Sequence, residues 1–359
     1  MSKYHLEHAK YSKWLKSHTF ENCKLDRKEY GHFIADYISG EKDGFVLNIN
    51  GAWGSGKTEF LKRLYTLFIN KRTPTIYINA WESDFSKDPL TVVTSELLEQ
   101  LSLFNENIGE DLKTVKSLLG RVIKGSFYGA AGFTTHKLLG DATIGSDLAK
   151  ELLNDESSIK FIDELKGSYL VQTSAISEIR IQLGQLAEVL GNTREAQLPV
   201  IVLVDELDRC RPDYAIEMLE VIKHFFHTKN FVFIIATDTK QLSNSMNAVY
   251  GNKFDSIKYL RRFFDREATL PKPDIEHYLD IKNFSLEEAN SSPNITIAPG
   301  LVTDNAQTLQ KYVSYFIRAY DLEIRDLDQI LAKLESCLRS IISTGERDKS
   351  PQLIDFLCC

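Results

Sequence analysis

A parallel-sheet α/β fold is predicted by two apolar runs that end in acidic residues and by one glycine-rich loop. The loop, Gly51–Thr58, lies between the apolar run Phe45–Asn50 and a segment that carries Phe60, Leu61, Leu64, Leu67 and Phe68 at helical spacing. Strand, loop and helix in that order are the context that the pattern G-x-x-x-x-G-K-[ST] requires. The run Val200–Val204 is unbroken and aliphatic, as in a strand covered on both faces, and it leads into Asp205 and Glu206. The run Phe231–Ala236 leads into Thr237 and Asp238. Strands of such a sheet bind ligands beyond their C-terminal ends, so all of these polar groups fall at one edge.

Taken in chain order, residues 1–44 read as an N-terminal helical segment, with Tyr30, Phe33, Ile34, Tyr37 and Ile38 on one face. The core takes residues 45–82 and 199–283. Within it, Thr75–Ala80 is a further short strand. Met218, Leu219, Ile222, Phe225 and Phe226 form a helical stripe between the Val200 and Phe231 strands, a βαβ crossover that makes the two strands parallel. Residues 83–198 are a helical insertion. In it Ile176, Ile179, Leu183, Leu186 and Leu190 suit an antiparallel hairpin, a short coiled coil or ordinary core packing. The stretch 284–304, where Asn, Ser and Pro cluster, reads as a linker within a C-terminal helical region, 284–359. A helix there starts at Ile324-Arg325-Asp326-Leu327 and puts Leu327, Ile330, Leu331, Leu334, Leu338 and Ile341 on one face. The expected architecture is a P-loop NTPase core with a large helical insertion and a C-terminal helical lid.

The loop predicts ATP as ligand. Gly51, Gly54 and Gly56, with Ala52, Trp53 and Ser55 between them, let consecutive backbone N–H groups point inward at a helix N-terminus, which makes an anion nest. Lys57 reaches the β- and γ-phosphates and the Thr58 hydroxyl binds Mg²⁺, while Glu59 completes the binding stretch in the first helical turn. Asp205 is the second Mg²⁺ ligand, and Glu206 is the candidate base that orients and deprotonates the attacking water. Thr237 and Asp238 either sense the γ-phosphate or cap the helix that follows. Phosphoryl transfer also needs positive charge. Arg261 and Arg262, read as lying on one helix and so about 100° apart, are either an arginine finger reaching a neighbouring subunit or a solvated pair. Arg209 either acts in cis or pairs with Asp208, and Arg325 is a candidate lid arginine that follows nucleotide state.

Gly51–Thr58, then Tyr77-Ile78-Asn79-Ala80-Trp81-Glu82, then Asp205-Glu206-Leu207-Asp208-Arg209-Cys210 resemble the KAP family of P-loop NTPases. So do Ile235–Asp238, Lys258–Asp265 and Leu270-Pro271, and the likeness spans roughly residues 26 to 275. The resemblance implies an ASCE-type ATPase fold, found often in bacterial or phage-related exclusion systems and, in animals, at membranes. The common family pattern has two adjacent aspartates at the end of the second motif. Glu206 replaces the second one here, which keeps a carboxylate and matches the catalytic glutamate of AAA+ relatives. Members often carry membrane-spanning helices in the insertion. The best candidate, Val122–Ile144, contains Lys124, His136, Lys137 and Asp141, which break the run well short of the roughly 20 apolar residues that a span needs. No span is predicted.

Of the 359 residues, 43% are hydrophobic and 26% charged, ordinary globular usage with ample core. The net charge of −7 gives no global basic field, so nucleic acid is a possible partner that nothing indicates. Cys23, Cys210, Cys337, Cys358 and Cys359 are scattered and form no C-x-x-C pair, which argues against a disulfide framework or a zinc site. Cys358 and Cys359 carry no functional assignment. The polar start Met1–Lys16 lacks an apolar stretch and is no secretory signal, so a cytoplasmic location with at most peripheral membrane contact is expected. Two function classes stand. One is an ATPase that drives or times assembly of a larger complex in anti-phage defence, as a homo-oligomer with a protein effector. The other is a nucleotide-switched scaffold with little turnover.

Overall fold

The computed structural model describes residues 9–86, 88–104, 176–192, 196–225, 227–272, 277–279, 295–298, 314–320, 322–348 and 352–355. Five strands form one parallel sheet: β1 Phe45–Asn50, β2 Thr75–Asn79, β3 Val200–Asp205, β4 Phe231–Thr237 and β5 Arg266–Thr269. Their order across the sheet is β2-β3-β4-β1-β5. The register sets Asn79 beside Asp205 and Asn50 between Thr237 and Thr269, so the polar strand ends share one edge. Every residue of β3 and β4 is buried, as the aliphatic runs require of strands covered on both faces.

Helices among the described residues include α1 Trp14–Ser17, α2 Lys28–Ile38, α3 Lys57–Asn70, α4 Pro89–Ser102, α5 176–192, α6 Pro212–Phe225, α7 Thr239–Tyr250, α8 Ser256–Leu260, α9 314–320 and α10 Ile324–Asp348. Capping explains several starts. Asp88 accepts hydrogen bonds from the N–H groups of Leu90 and Thr91 ahead of Pro89, and Asp238 accepts from Gln241 at the head of α7. α3 packs against β2, β3 and β4 as well as α1 and α2, while α4 packs on β2 and α6. The stripe Phe60, Leu61, Leu64, Phe68 faces the core and so do Met218, Leu219, Ile222 and Phe225 on α6. In the insertion, Ile179, Leu183, Leu186 and Leu190 of α5 join that same core. This favours ordinary packing over a free coiled coil. On α10, Leu327, Leu331 and Leu334 are buried.

Three sequence expectations change. Residues 295–298, inside the stretch read as a linker, form strand β6, which pairs in parallel with β7 Gln352–Asp355; the alternation Ile295-Thr296-Ile297 is the strand signal. Of the segment 1–44, the described residues 9–44 hold α1 and α2 with turns between them. Arg261 and Arg262 lie in the turn after α8 rather than on a helix. Phe226, Val122–Ile144 and Cys358-Cys359 lie outside the described residues. No helix among the described residues is long and apolar enough to cross a membrane.

Candidate functional site

The glycine-rich loop turns from β1 into α3 at the sheet edge. Gly51 donates its N–H to Thr237 O at 3.1 Å, which ties the loop's start to the end of β4. Gly54 and Gly56 have φ of +89° and +87°, a region that only glycine enters at low cost. A Cβ on Gly54 would also meet Arg325 Cβ at 3.0 Å, so the head of α10 lies directly on the loop. Arg325 reaches across it with its guanidinium 5.3 Å from the exposed Trp53 ring.

Lys57 opens α3 and is almost wholly buried. Its Nζ donates to Gly51 O at 2.8 Å and to Ala52 O at 3.3 Å, and it lies 3.3 Å from Asp208 Oδ2. The ammonium thus folds back on its own loop and closes the nest with a carboxylate. Asp208 also accepts the Asp238 N–H at 3.2 Å, while Asp238 accepts the Trp53 N–H at 3.1 Å. Asp238 therefore caps α7 and braces the phosphate loop at the same time. The cap is one of the two readings of that residue; its contact with the loop was not read from the sequence. The Ser55 hydroxyl, buried inside the loop, has no hydrogen-bond partner among the described residues, an orphan of the kind that a bound anion would satisfy. Glu59 turns away from the loop: its carboxylate pairs with Arg63 at 2.7 Å.

Asp205 ends β3 at 1% exposure. It accepts Tyr77 OH at 2.7 Å on Oδ2 and the Glu206 N–H at 2.8 Å on Oδ1, and it is hydrogen-bonded by Thr58. Burial pushes its carboxyl pKa up, against the pull of the Tyr77 and Thr58 hydrogen bonds. A divalent cation would offset that burial, and Thr58 and Asp205 already touch, so the donors fit Mg²⁺. Glu206 follows with φ of +59°, a left-handed conformation that costs a non-glycine residue roughly 1–3 kcal/mol. That turn swings its carboxylate to the edge, where Oε1 meets Arg209 Nη1 at 2.8 Å. Arg209 therefore pairs with Glu206, whereas Asp208 belongs to Lys57. Its proximity in sequence to Asp208 was misleading, because the short helical turn that follows the left-handed Glu206 sets Arg209 over Glu206, three residues back.

Arg261 and Arg262 are exposed and precede β5, whose first residue, Arg266, pairs with Leu47 in β1. They precede the start of β5, at the opposite ends of the strands from the phosphate loop. Two contributors stand in the quoted motifs but were not assigned to the site from sequence. Tyr77 lies 128 residues from Asp205, and only the strand pairing brings them together. Asp208 carried a signal, since it repeats the acidic character of Asp205 one helical turn on.

A model of the KAP family P-loop domain matches residues 27–341. The phage T7 exclusion protein of Escherichia coli (strain K12) is 24% identical over 282 residues, which is 73% of this chain. The alignment spans only 35% of that relative's length. Among solved structures, the Aeropyrum pernix ORC2 protein (ADPNP-ADP complexes) aligns at 13% identity and a TM-score of 0.34, over 73% of this chain and 52% of that one.

Proposed function

Because the chain belongs to the KAP family of P-loop domains, we propose that it is a Mg²⁺-dependent ATPase whose turnover drives or times assembly of a larger complex. One arrangement carries the reading: Lys57, Thr58, Asp205 and Glu206 meet at one edge of a parallel sheet. Lys57 leaves Asp208 for the terminal phosphates and offsets their charge. Gly51–Thr58, with the Ser55 hydroxyl, cradle the phosphates. Thr58 and Asp205 hold Mg²⁺, which supplies charge neutralisation on the β- and γ-phosphates when bound. Glu206 takes the proton of the attacking water. Asp238 holds the loop through Trp53, and Arg325 brings the lid helix onto it. Arg261 and Arg262, ahead of β5 at the other ends of the strands, act in trans on a neighbouring copy. The likeness to the phage T7 exclusion protein supports a setting in bacterial defence against phage. A homo-oligomer with a protein effector, in the cytoplasm, fits this reading. So does the division into 1–44, 45–82 with 199–283, 83–198 and 284–359.

The 2.8 Å pairing of Glu206 with Arg209 favours a second reading, in which ATP is bound and hydrolysed very slowly and the chain signals as a scaffold. Glu206→Gln separates the two. Under the first reading the variant binds Mg·ATP as the parent does and loses roughly 10²-fold or more in multiple-turnover hydrolysis. Equal rates in variant and parent would remove Glu206 as base. A parent without turnover, with or without nucleic acid or partner extracts, would establish the scaffold.

A further inference from the structure

Tyr77 lies in β2, an edge strand of the sheet, yet it is only 3% exposed because two other parts of the chain close over it. On the open side of β2 the side-chain amide of Gln100, from α4, stands in for a missing strand. Tyr77 N–H donates to Gln100 Oε1 at 3.0 Å, and Gln100 Nε2 donates to Tyr77 O at 2.8 Å. The same Nε2 donates to Glu96 Oε2 at 2.7 Å, and that oxygen accepts Lys10 Nζ at 2.8 Å. A chain of hydrogen bonds thus runs from Lys10, at the surface, to the backbone of Tyr77.

The ring of Tyr77 is held by the same N-terminal segment. Trp14 makes a T-shaped contact with it at 4.9 Å between centroids, and Tyr11 makes another at 5.3 Å. Tyr11 and Trp14 stack on each other at 4.2 Å, and both make T-shaped contacts with Tyr65 of α3, the helix that Lys57 and Thr58 open. Thr66 Oγ1, also of α3, donates to Trp14 O at 3.1 Å and pins the segment there. Residues 9–18 therefore brace Tyr77 at its backbone, through Glu96 and Gln100, and at its ring. The hydroxyl at the far end of that ring donates to Asp205 Oδ2 at 2.7 Å.

We propose that the segment 9–18 is a strap that sets the cation affinity of the site, with Tyr77 as the positioning residue that carries its effect to Asp205. This rests on Thr58 and Asp205 holding Mg²⁺ and adds what orients the carboxylate. Mg²⁺ demands near-octahedral ligands at about 2.0–2.1 Å, so a carboxylate free to turn binds it less well than one held by an outer hydrogen bond. With the strap seated, Tyr77 holds Asp205 in one orientation; with the strap lifted, the ring loses its support and the carboxylate its guide. The coupling is reciprocal, so a bound cation also tightens the strap.

The experiment measures ATP binding by calorimetry on the full chain, once with Mg²⁺ and once with EDTA. The parent binds ATP more tightly with Mg²⁺. Tyr77→Phe keeps the ring and loses the hydroxyl, so Mg·ATP weakens by roughly tenfold or more while metal-free ATP stays within about twofold. Trp14→Ala leaves the hydroxyl and loosens the ring, and it gives the same split at roughly threefold or more; it decides the matter if Tyr77→Phe does not fold. Hydrogen exchange on the parent needs no variant. Amides of 9–18 exchange more slowly with Mg·ATP than with metal-free ATP, and Tyr77→Phe abolishes the difference. Equal losses for both forms of ATP, unchanged Mg·ATP affinity in the folded variants, or exchange in 9–18 that ignores Mg²⁺ overturns the strap. A parent whose ATP affinity ignores Mg²⁺ overturns the metal reading beneath it.

Discussion

Two ion pairs stand at the same sheet edge and differ in where their charges lie. Lys57 and Asp208 are both buried, beneath the loop; Arg209 is half-exposed on the rim and meets a nearly buried Glu206. A buried pair stripped of one partner leaves a charge that nothing solvates, whereas a rim pair exchanges readily with water. The floor pair therefore governs entry, because phosphates must replace Asp208 as partner of Lys57. The rim pair governs use, since Glu206 has to leave Arg209 before it can take a proton. One edge thus separates binding from turnover with two cations, Arg209 three residues from its acid and Lys57 far across the sequence from Asp208.

The largest effect expected is from Lys57→Ala. A parent at a hundredfold excess of ATP over Kd gains about 2.7 kcal/mol of stability, and the variant should gain almost none in a thermal shift. An unchanged ATP-induced shift would break the assignment of the floor. Next is Asp208→Asn, which leaves Lys57 without its carboxylate until phosphates arrive. The variant should melt lower without nucleotide and bind Mg·ATP at least about tenfold more tightly, with kcat little changed. If its kcat moves and its Kd does not, floor and rim are not separate controls. A comparable test addresses the far edge. If Arg261 and Arg262 work in trans, an Arg261→Ala/Arg262→Ala chain mixed with a Lys57→Ala chain should regain part of the activity that each lacks, and specific activity should rise with protein concentration. A rate independent of concentration in a monomer by light scattering would leave the arginines without a catalytic role. Smallest is Arg209→Gln, which should raise basal kcat by no more than about fivefold and leave Kd alone, as befits a rim pair. A fall in kcat would make Arg209 a contributor to the reaction instead of a restraint on Glu206.

What could be read from the chain was what local pattern encodes. β1 and its loop, β3 with Asp205 and Glu206, and β4 are buried runs with fixed punctuation, and each was legible from its own residues. β5 was not, since Arg266-Glu267-Ala268-Thr269 is an exposed edge strand with one neighbour and no apolar run to mark it. In the site, the residue types were legible and their partners were not. Whether Arg209 takes Glu206 or Asp208 depends on the single left-handed φ of Glu206, which no periodicity announces. The Tyr77 contact with Asp205 joins residues far apart in sequence and exists only once the strands have paired.

The strand order has a consequence for how the chain is made. β1 leaves the ribosome well before both of its neighbours, β4 and β5, which come from the later part of the chain. At roughly 5–20 residues per second, translation of the intervening two hundred or so residues takes on the order of 10–40 s. Through that interval Phe45–Asn50 has two open backbone edges and no sheet to join, a template for pairing with other nascent chains. The strand that leads into the phosphate loop is therefore the last to be enclosed, and a slowly translated or crowded message should lose protein to aggregates seeded by this strand before any loss of ATP chemistry is seen.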